Sequence, residues 1–434
     1  MKISYSKFDI RFTILLWCFI LSFTSCCGVS DRLTVTQTED FQLTGCDAGS
    51  PERIMLNVTE TPSKRQAVTW RTRAEANNPK AQIALTADFS SLKENLRTIS
   101  AVSEKVHLGK EEIVYHYAAV FKDLTPGTRY VYRVGADKNW SEWNQFKTAG
   151  EGHAPFTFVY FGDPQEEIKS MCSPVFRAAY KKAPEAQFWL ITGDLVDNGD
   201  QDGEWEELFY AFGWIPRTTP MMLVPGNHEY PDKRYVKGAD YRIFGLWRPH
   251  FTLPENGPPG LEETAYYIDY QGVRFVMLNG NEKLEEQARW LDGILAENRQ
   301  PWIIVGVHQP IYATSVRRNK AAENRKHSDL NDLMAPVFDK YSVDLVLQGH
   351  EHTYCRSHPI KNGMVAGENE KGTVYIISVS GPKFYPTQAG NQELMAKTGM
   401  GRQLFQVIQI DSDRLTYTSL DVTGEVYDAF ALKK

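Results

Sequence analysis

Phe188-Trp189-Leu190-Ile191-Thr192-Gly193-Asp194-Leu195-Val196-Asp197 is a short apolar, β-rich run that empties into a carboxylate-bearing turn. The pattern recurs along the chain. Phe156 to Phe161 leads into Gly162-Asp163-Pro164-Gln165, and Met221 to Val224 into Gly226-Asn227-His228-Glu229. Trp302 to Gly306 leads into Val307-His308, and Val343 to Leu347 into Gly349-His350-Glu351-His352. Helical periodicity fills several intervals: Ser173 to Lys182, Gly203 to Phe212, Leu284 to Asn298 and Ser328 to Tyr341. Further strands are expected over Val273 to Leu278, Thr373 to Ser380, Leu404 to Ile410 and Arg414 to Leu420. Strands alternating with helices predict an α/β domain whose strand carboxyl ends open on one edge. Ligands of open α/β sheets gather at that edge.

The five loops carry one kind of chemistry. Singly, Gly-Asp and Gly-Asn-His are turn signals, and a lone His after an apolar run is a buried side chain. His350 and His352 are stronger, because alternate residues of an extended segment share a face. In order, the five offer carboxylate and carboxamide oxygens with imidazole nitrogens, the donors of hard or borderline divalent metals. Two such metals about 3.5–4 Å apart clamp an in-line displacement at phosphorus.

The ordered set resembles the calcineurin-like metallophosphoesterase superfamily, and most closely its purple acid phosphatase branch. The resemblance covers nearly the whole mature chain. It implies two packed mixed β-sheets flanked by helices. It also implies two divalent or mixed-valence metal ions per chain, with Fe, Zn and Mn as candidates. Asp194 would bridge them. Asp163 and His352 would hold the first, and Asn227, His308 and His350 the second. His228 would sit beside the phosphoryl group, and a metal-bridging hydroxide would attack phosphorus directly.

Two departures matter. That branch carries a Tyr three residues after the bridging Asp, and its phenolate gives the colour; here the position is Asp197. Other members have His two residues after the first Asp, where this chain has Gln165, a weak carbonyl donor. Asp197 is a metal ligand or, by similarity to the serine/threonine phosphatase branch, the group that orients His228, or else a solvated Asp in a turn. The second role is preferred. A carboxylate there would favour the imidazolium, which could then protonate the leaving oxygen.

Ahead of this domain, Val68 to Thr72, Tyr115 to Phe121, Arg129 to Val134 and Trp143 to Lys147 read as alternating strands with a turn at Leu124 to Thr128. They predict an all-β sandwich of fibronectin type III or immunoglobulin type over residues 45–150. Residues 151–434 would form the catalytic domain. Lys2, Lys7 and Arg11 before the apolar stretch Phe12 to Phe23 read as a signal peptide over residues 1–25. Small residues before Cys26 resemble a bacterial lipobox. Cys26 would carry the lipid, and residues 26–44 would be a polar tether to the membrane. That places the protein in the periplasm or on the cell surface. Free secretion and an uncleaved anchor are the other readings. Cys46, Cys172 and Cys355 remain in the folded part. Cys172 and Cys355 are either paired or buried thiols, the second being preferred.

The chain has 434 residues, 42% hydrophobic and 24% charged, with a net charge of −6. No basic stripe points to nucleic acid. Small phosphate esters are the expected substrates. Between Tyr312 and His327 lie Arg317, Arg318, Lys320, Arg325, Lys326 and His327. This segment is either an anion-gripping lid, with His327 as a further proton donor, or a solvated cluster. Tyr230 and Lys383 to Tyr385 are candidate walls of the site. The favoured function is an exported phosphatase acting on monoesters. A phosphodiesterase or nucleotide hydrolase would use the same ligands. A surface binding protein with a vestigial site is the reading from another class.

Overall fold

The strand Phe156–Phe161 lies where its sequence places it, buried along its whole length. It pairs in parallel with Trp189–Ile191, which pairs in parallel with Met221–Leu223. On the other side it meets Leu404–Asp411 antiparallel, followed by Arg414–Asp421 and Val426–Lys433. A second sheet carries the parallel run Val273–Leu278, Trp302–Val307, Leu345–Gln348 and Val374–Ile377. Antiparallel strands flank it, Tyr266–Tyr270 on one edge and Tyr354–Ser357 with Met395–Gly399 on the other. The described residues of this computed structural model are 47–86, 95–109, 112–236, 238, 241–314, 329–387 and 391–434. The expected signal peptide and tether, Cys26, Cys46, His327 and the basic cluster before it lie outside them.

The sheets pack face to face because both inner faces are apolar. Phe158, Leu190 and Ile408 from the first meet Phe275, Ile304, Leu347 and Ile376 from the second in one core. Helices α1 (Ser173–Lys182) and α2 (Asp202–Phe212) add Val175, Phe176, Trp205 and Leu208 to it. The short α3 spans Trp247–His250. Helices α4 (Leu284–Ala296) and α5 (Asp329–Tyr341) cover the outer face of the second sheet through Leu291, Leu295, Met334 and Phe338.

Residues 52–147 build a β-sandwich. Glu52–Asn57, Gln66–Thr72, Glu112–Phe121 and Val102–Leu108 form one layer. Lys80–Leu85, Arg97–Ser100, Arg129–Ala136 and Asn144–Lys147 form the other. Trp70, Tyr117, Phe121, Tyr132 and Phe146 fill the space between. The first layer continues into the catalytic sheet, because Asn57 pairs in parallel register with Met221. This explains a departure from the alternation expected for Val68 to Thr72. Gln66–Thr72 is buried on both faces. Its outward Thr69 donates to the His250 carbonyl at 2.8 Å, and its outward Arg71 pairs with Asp202 at 2.8 Å.

Candidate metal centre

Each loop read as a ligand follows a parallel strand, so the topology itself gathers them. Asp163, Asp194 and Asn227 come from the first sheet, and His308 and His350 from the second. Close packing of the loops needs glycine at two points. A Cβ on Gly226 would strike Asp194 Oδ1, and one on Gly349 would strike Asp163 Oδ2. Four expected ligands also hold left-handed backbone: Asp163 (φ 36°), Asp194 (φ 48°), His350 (φ 74°) and His352 (φ 47°). Non-glycine residues there cost of order 1–3 kcal/mol each, and such strain gathers at functional sites.

Donor atoms converge in two groups that share one residue. Single atoms of Asp194, His308 and His350 lie within 4.8 Å of one another, and so do those of Asp163, Asp194 and His352. His308 donates from Nδ1 to the Thr192 carbonyl at 2.8 Å, which leaves Nε2 facing the cluster. That Nε2 lies 3.1 Å from Asp194 Oδ2, 3.2 Å from Asn227 Oδ1 and 3.1 Å from His350 Nδ1. These are mostly lone pairs facing lone pairs, an arrangement that calls for positive charge. Without metal, a proton answers. Burial works against charging His308, yet the Asp194 carboxylate outweighs it and lifts the ring to about 9. Burial likewise opposes ionisation of Asp194, but His308 outweighs it and holds that carboxyl below the usual range.

In the other group, Gln165 Nε2 lies 2.7 Å from His352 Nε2. Gln165 Oε1 is buried without a hydrogen-bond partner, a donor left over for a cation. The residues present therefore fit a pair of divalent metals.

His228 stands at the rim with its side chain 30% exposed. Its backbone N–H donates to Asp194 Oδ1 at 2.9 Å. Its Nδ1 meets the Asp197 backbone carbonyl at 2.6 Å, while the Asp197 carboxylate is 3.5 Å away. The Asp197 main chain makes the hydrogen bond, and its carboxylate lies within ion-pair reach of the same ring nitrogen. Nε2 points into the cleft, 3.9 Å from Asp194 Oδ2.

Glu229 closes the Gly226-Asn227-His228-Glu229 string, where the sequence signals no role for it. It is buried, and its carboxylate accepts from the N–H of Asp194 at 3.0 Å, Leu195 at 2.8 Å and Gly226 at 2.6 Å. Burial and then Asp194 push its acid up to about 7. Glu351 works similarly, accepting from Thr314 N–H at 2.8 Å and Oγ1 at 2.9 Å. Cys172 and Cys355 are separate buried thiols, and burial pushes Cys355 up to about 12.

Residues 156–354 match the calcineurin-like phosphoesterase family, and residues 51–148 match the N-terminal domain of purple acid phosphatases. The chain is a calcineurin-like metallophosphoesterase with a purple acid phosphatase N-terminal domain. Human acid phosphatase type 7 is 27% identical over 369 residues, covering 77% of this chain and 79% of its own. An uncharacterised Mycobacterium tuberculosis protein is 27% identical over 390 residues, covering 77% and 70%. In fold, the chain is similar to the yellow lupin purple acid phosphatase PPD1. The TM-score is 0.74 at 19% identity, over 89% of this chain and 74% of that one. As a member of this group the metallophosphoesterase is a hydrolase of phosphoric esters, and the group implies a dinuclear metal site.

Proposed function

We propose that this metallophosphoesterase is an exported phosphatase that cleaves phosphate monoesters by direct in-line attack of water, without a phosphoenzyme. One observation carries the reading: Asp194 belongs to both donor groups. Asp163, His352 and Gln165 would hold one metal, and Asn227, His308 and His350 the other. Once bound, a pair of Fe, Zn or Mn ions supplies charge neutralisation and an acidified water.

The chain's own residues do the rest. Thr192 fixes the His308 tautomer, and Glu229 holds the Asp194 and Gly226 loops in register. His228, oriented through Nδ1 by the Asp197 carbonyl, presents Nε2 to the leaving oxygen. In its protonated form it gives that oxygen a proton as the P–O bond breaks. Export rests on the charged and apolar pattern of residues 1–25 and on Cys26. Among the described residues, no helix is long and apolar enough to cross a membrane.

Turnover of p-nitrophenyl phosphate against its bis ester, after chelation and metal add-back, tests the reading. Metal-dependent cleavage with the monoester preferred is expected. Faster cleavage of the bis ester would make the protein a diesterase. A fully loaded protein cleaving neither would make the site vestigial.

A further inference from the structure

The segment Gly381 to Tyr385 is stitched to the site at both ends. Gly381 N–H donates to the Asp163 carbonyl at 2.8 Å, and Tyr385 N–H to the His352 carbonyl at 3.2 Å. The Tyr385 ring stands 4.9 Å from the His352 imidazole. Both anchors are expected ligands of the same metal. Lys383 is the middle residue of this span, so its backbone is held between two loops that carry expected ligands.

Its ammonium is fixed as well. Lys383 Nζ pairs with Glu166 Oε1 at 2.6 Å, and the side chain is only 23% exposed. Glu166 adjoins Gln165 and holds left-handed backbone, φ 64°. Burial opposes the charge on Lys383, but Glu166, Tyr385 and Asp197 more than restore it. An ammonium has three N–H donors, and Glu166 Oε1 meets it from one side. The segment that carries it is bonded to the Asp163 and His352 backbones, and Asp197 is among the charges that act on the ammonium.

A monoester differs from a diester at one oxygen. In the monoester that oxygen is free and charged once the second ionisation is passed, near pH 6; in the diester it carries carbon. We propose that Lys383 is a positioning residue that donates to this third non-bridging oxygen, and so makes the site favour dianionic monoesters over monoanionic diesters. The proposal rests on the phosphatase reading and gives its substrate preference a physical source. Glu166 holds the ammonium by its ion pair, which limits the conformational entropy lost when substrate arrives.

The test compares wild-type, Lys383→Gln and Lys383→Arg proteins above pH 7. They are assayed with p-nitrophenyl phosphate and bis(p-nitrophenyl) phosphate, and inorganic phosphate binding is measured by calorimetry. Lys383→Gln should lower monoester kcat/KM by about tenfold to a hundredfold, chiefly through KM, the weight of one charge-assisted hydrogen bond. The diester should lose no more than a few fold. Phosphate affinity should fall in step with the monoester, and Lys383→Arg should recover most of both. Equal losses for the two esters, or unchanged phosphate affinity in Lys383→Gln, would overturn the proposal. A loaded wild type that cleaves neither ester would instead overturn the phosphatase reading, while the phosphate titration would still report on Lys383.

Discussion

At the scale of single residues, function is set by pairs that sequence separates and folding joins. Glu229 has four backbone N–H groups around it, from Asp194, Leu195, Val196 and Gly226. Glu229→Ala should leave these buried donors unpaired, at about 1–3 kcal/mol for the first and less for those that water reaches. Urea unfolding of the apoprotein should show it, and metal retention should fall with it. Unchanged stability would mean the loops hold themselves. Asp197→Asn makes the opposite prediction. The carbonyl on His228 Nδ1 stays, so kcat should change only a few fold. A loss comparable to that of His228→Ala would return the role to the carboxylate. The string around Glu229 was visible in the sequence, but nothing in it says that the carboxylate turns back onto Asp194. Asp163, Asp194, Asn227, His308, His350 and His352 were legible because each closes an apolar run.

At the scale of elements, α2 is a strut between the sandwich and the loop after Asp194. Its Glu204 accepts from the N–H of Asp197 and Asn198, both at 2.7 Å. Its Asp202 pairs with Arg53 at 2.7 Å and Arg71 at 2.8 Å, two guanidiniums buried in the sandwich. Trp205 stacks on His250 at 4.8 Å. Asp202→Asn should cost about 3–5 kcal/mol, because it strands buried charge, and denaturant unfolding measures it. A cost below about 1 kcal/mol would match a surface pair instead.

The same joint predicts a pH dependence. His116 donates to the Pro249 carbonyl at 2.9 Å and His250 to the Leu246 carbonyl, while Arg53 Nη1 lies 3.0 Å from His250 Nε2. Arg53, Arg71, Asp202 and Glu52 are the charges around them. Burial, then Arg71, lowers His116 to about 4; burial, then His116 and Arg53, lowers His250 well below 6.5. The folded protein keeps both rings neutral, whereas the unfolded chain takes up protons below about 6.5. Their contribution is therefore intact above that pH and lost as pH falls toward 4. The slope should approach 1.4 kcal/mol per unit per ring, about what one proton carries. His116→Gln should flatten the stability profile between pH 6 and 4.5 by one proton's worth. An unchanged profile would contradict this. These histidines had no motif context because Pro249, the partner of His116, and Arg53, a partner of His250, lie more than a hundred residues away in sequence.

At the scale of the whole molecule, the β-sandwich and the catalytic sheets share a layer, joined where Asn57 pairs with Met221. Residues 151–434 produced alone would expose one edge of Met221–Leu223 and strip His250 of Thr69, His116 and Arg53. Their thermal midpoint should fall well below that of the longer chain, or the fragment should aggregate. An equal midpoint would show that the layers are merely adjacent. Much of this architecture was readable from periodicity: Phe156–Phe161, Ser173–Lys182 and Val273–Leu278 form with the bounds expected. What was not readable lies at edges. Tyr266–Tyr270 and Val426–Lys433 close the two sheets, and the second buries only Asp428, which leaves a weak apolar signal. The shared layer was invisible for another reason, since a parallel pairing between residues 57 and 221 leaves no local trace.

Metal content tests the account most directly, because the two donor groups meet only at Asp194. Elemental analysis of the purified protein should find about two Fe, Zn or Mn ions per chain. Folded Asp194→Ala, checked by circular dichroism, should bind neither tightly. One ion per wild-type chain, or an Asp194→Ala protein that keeps both, would contradict a pair of metals bridged by this aspartate.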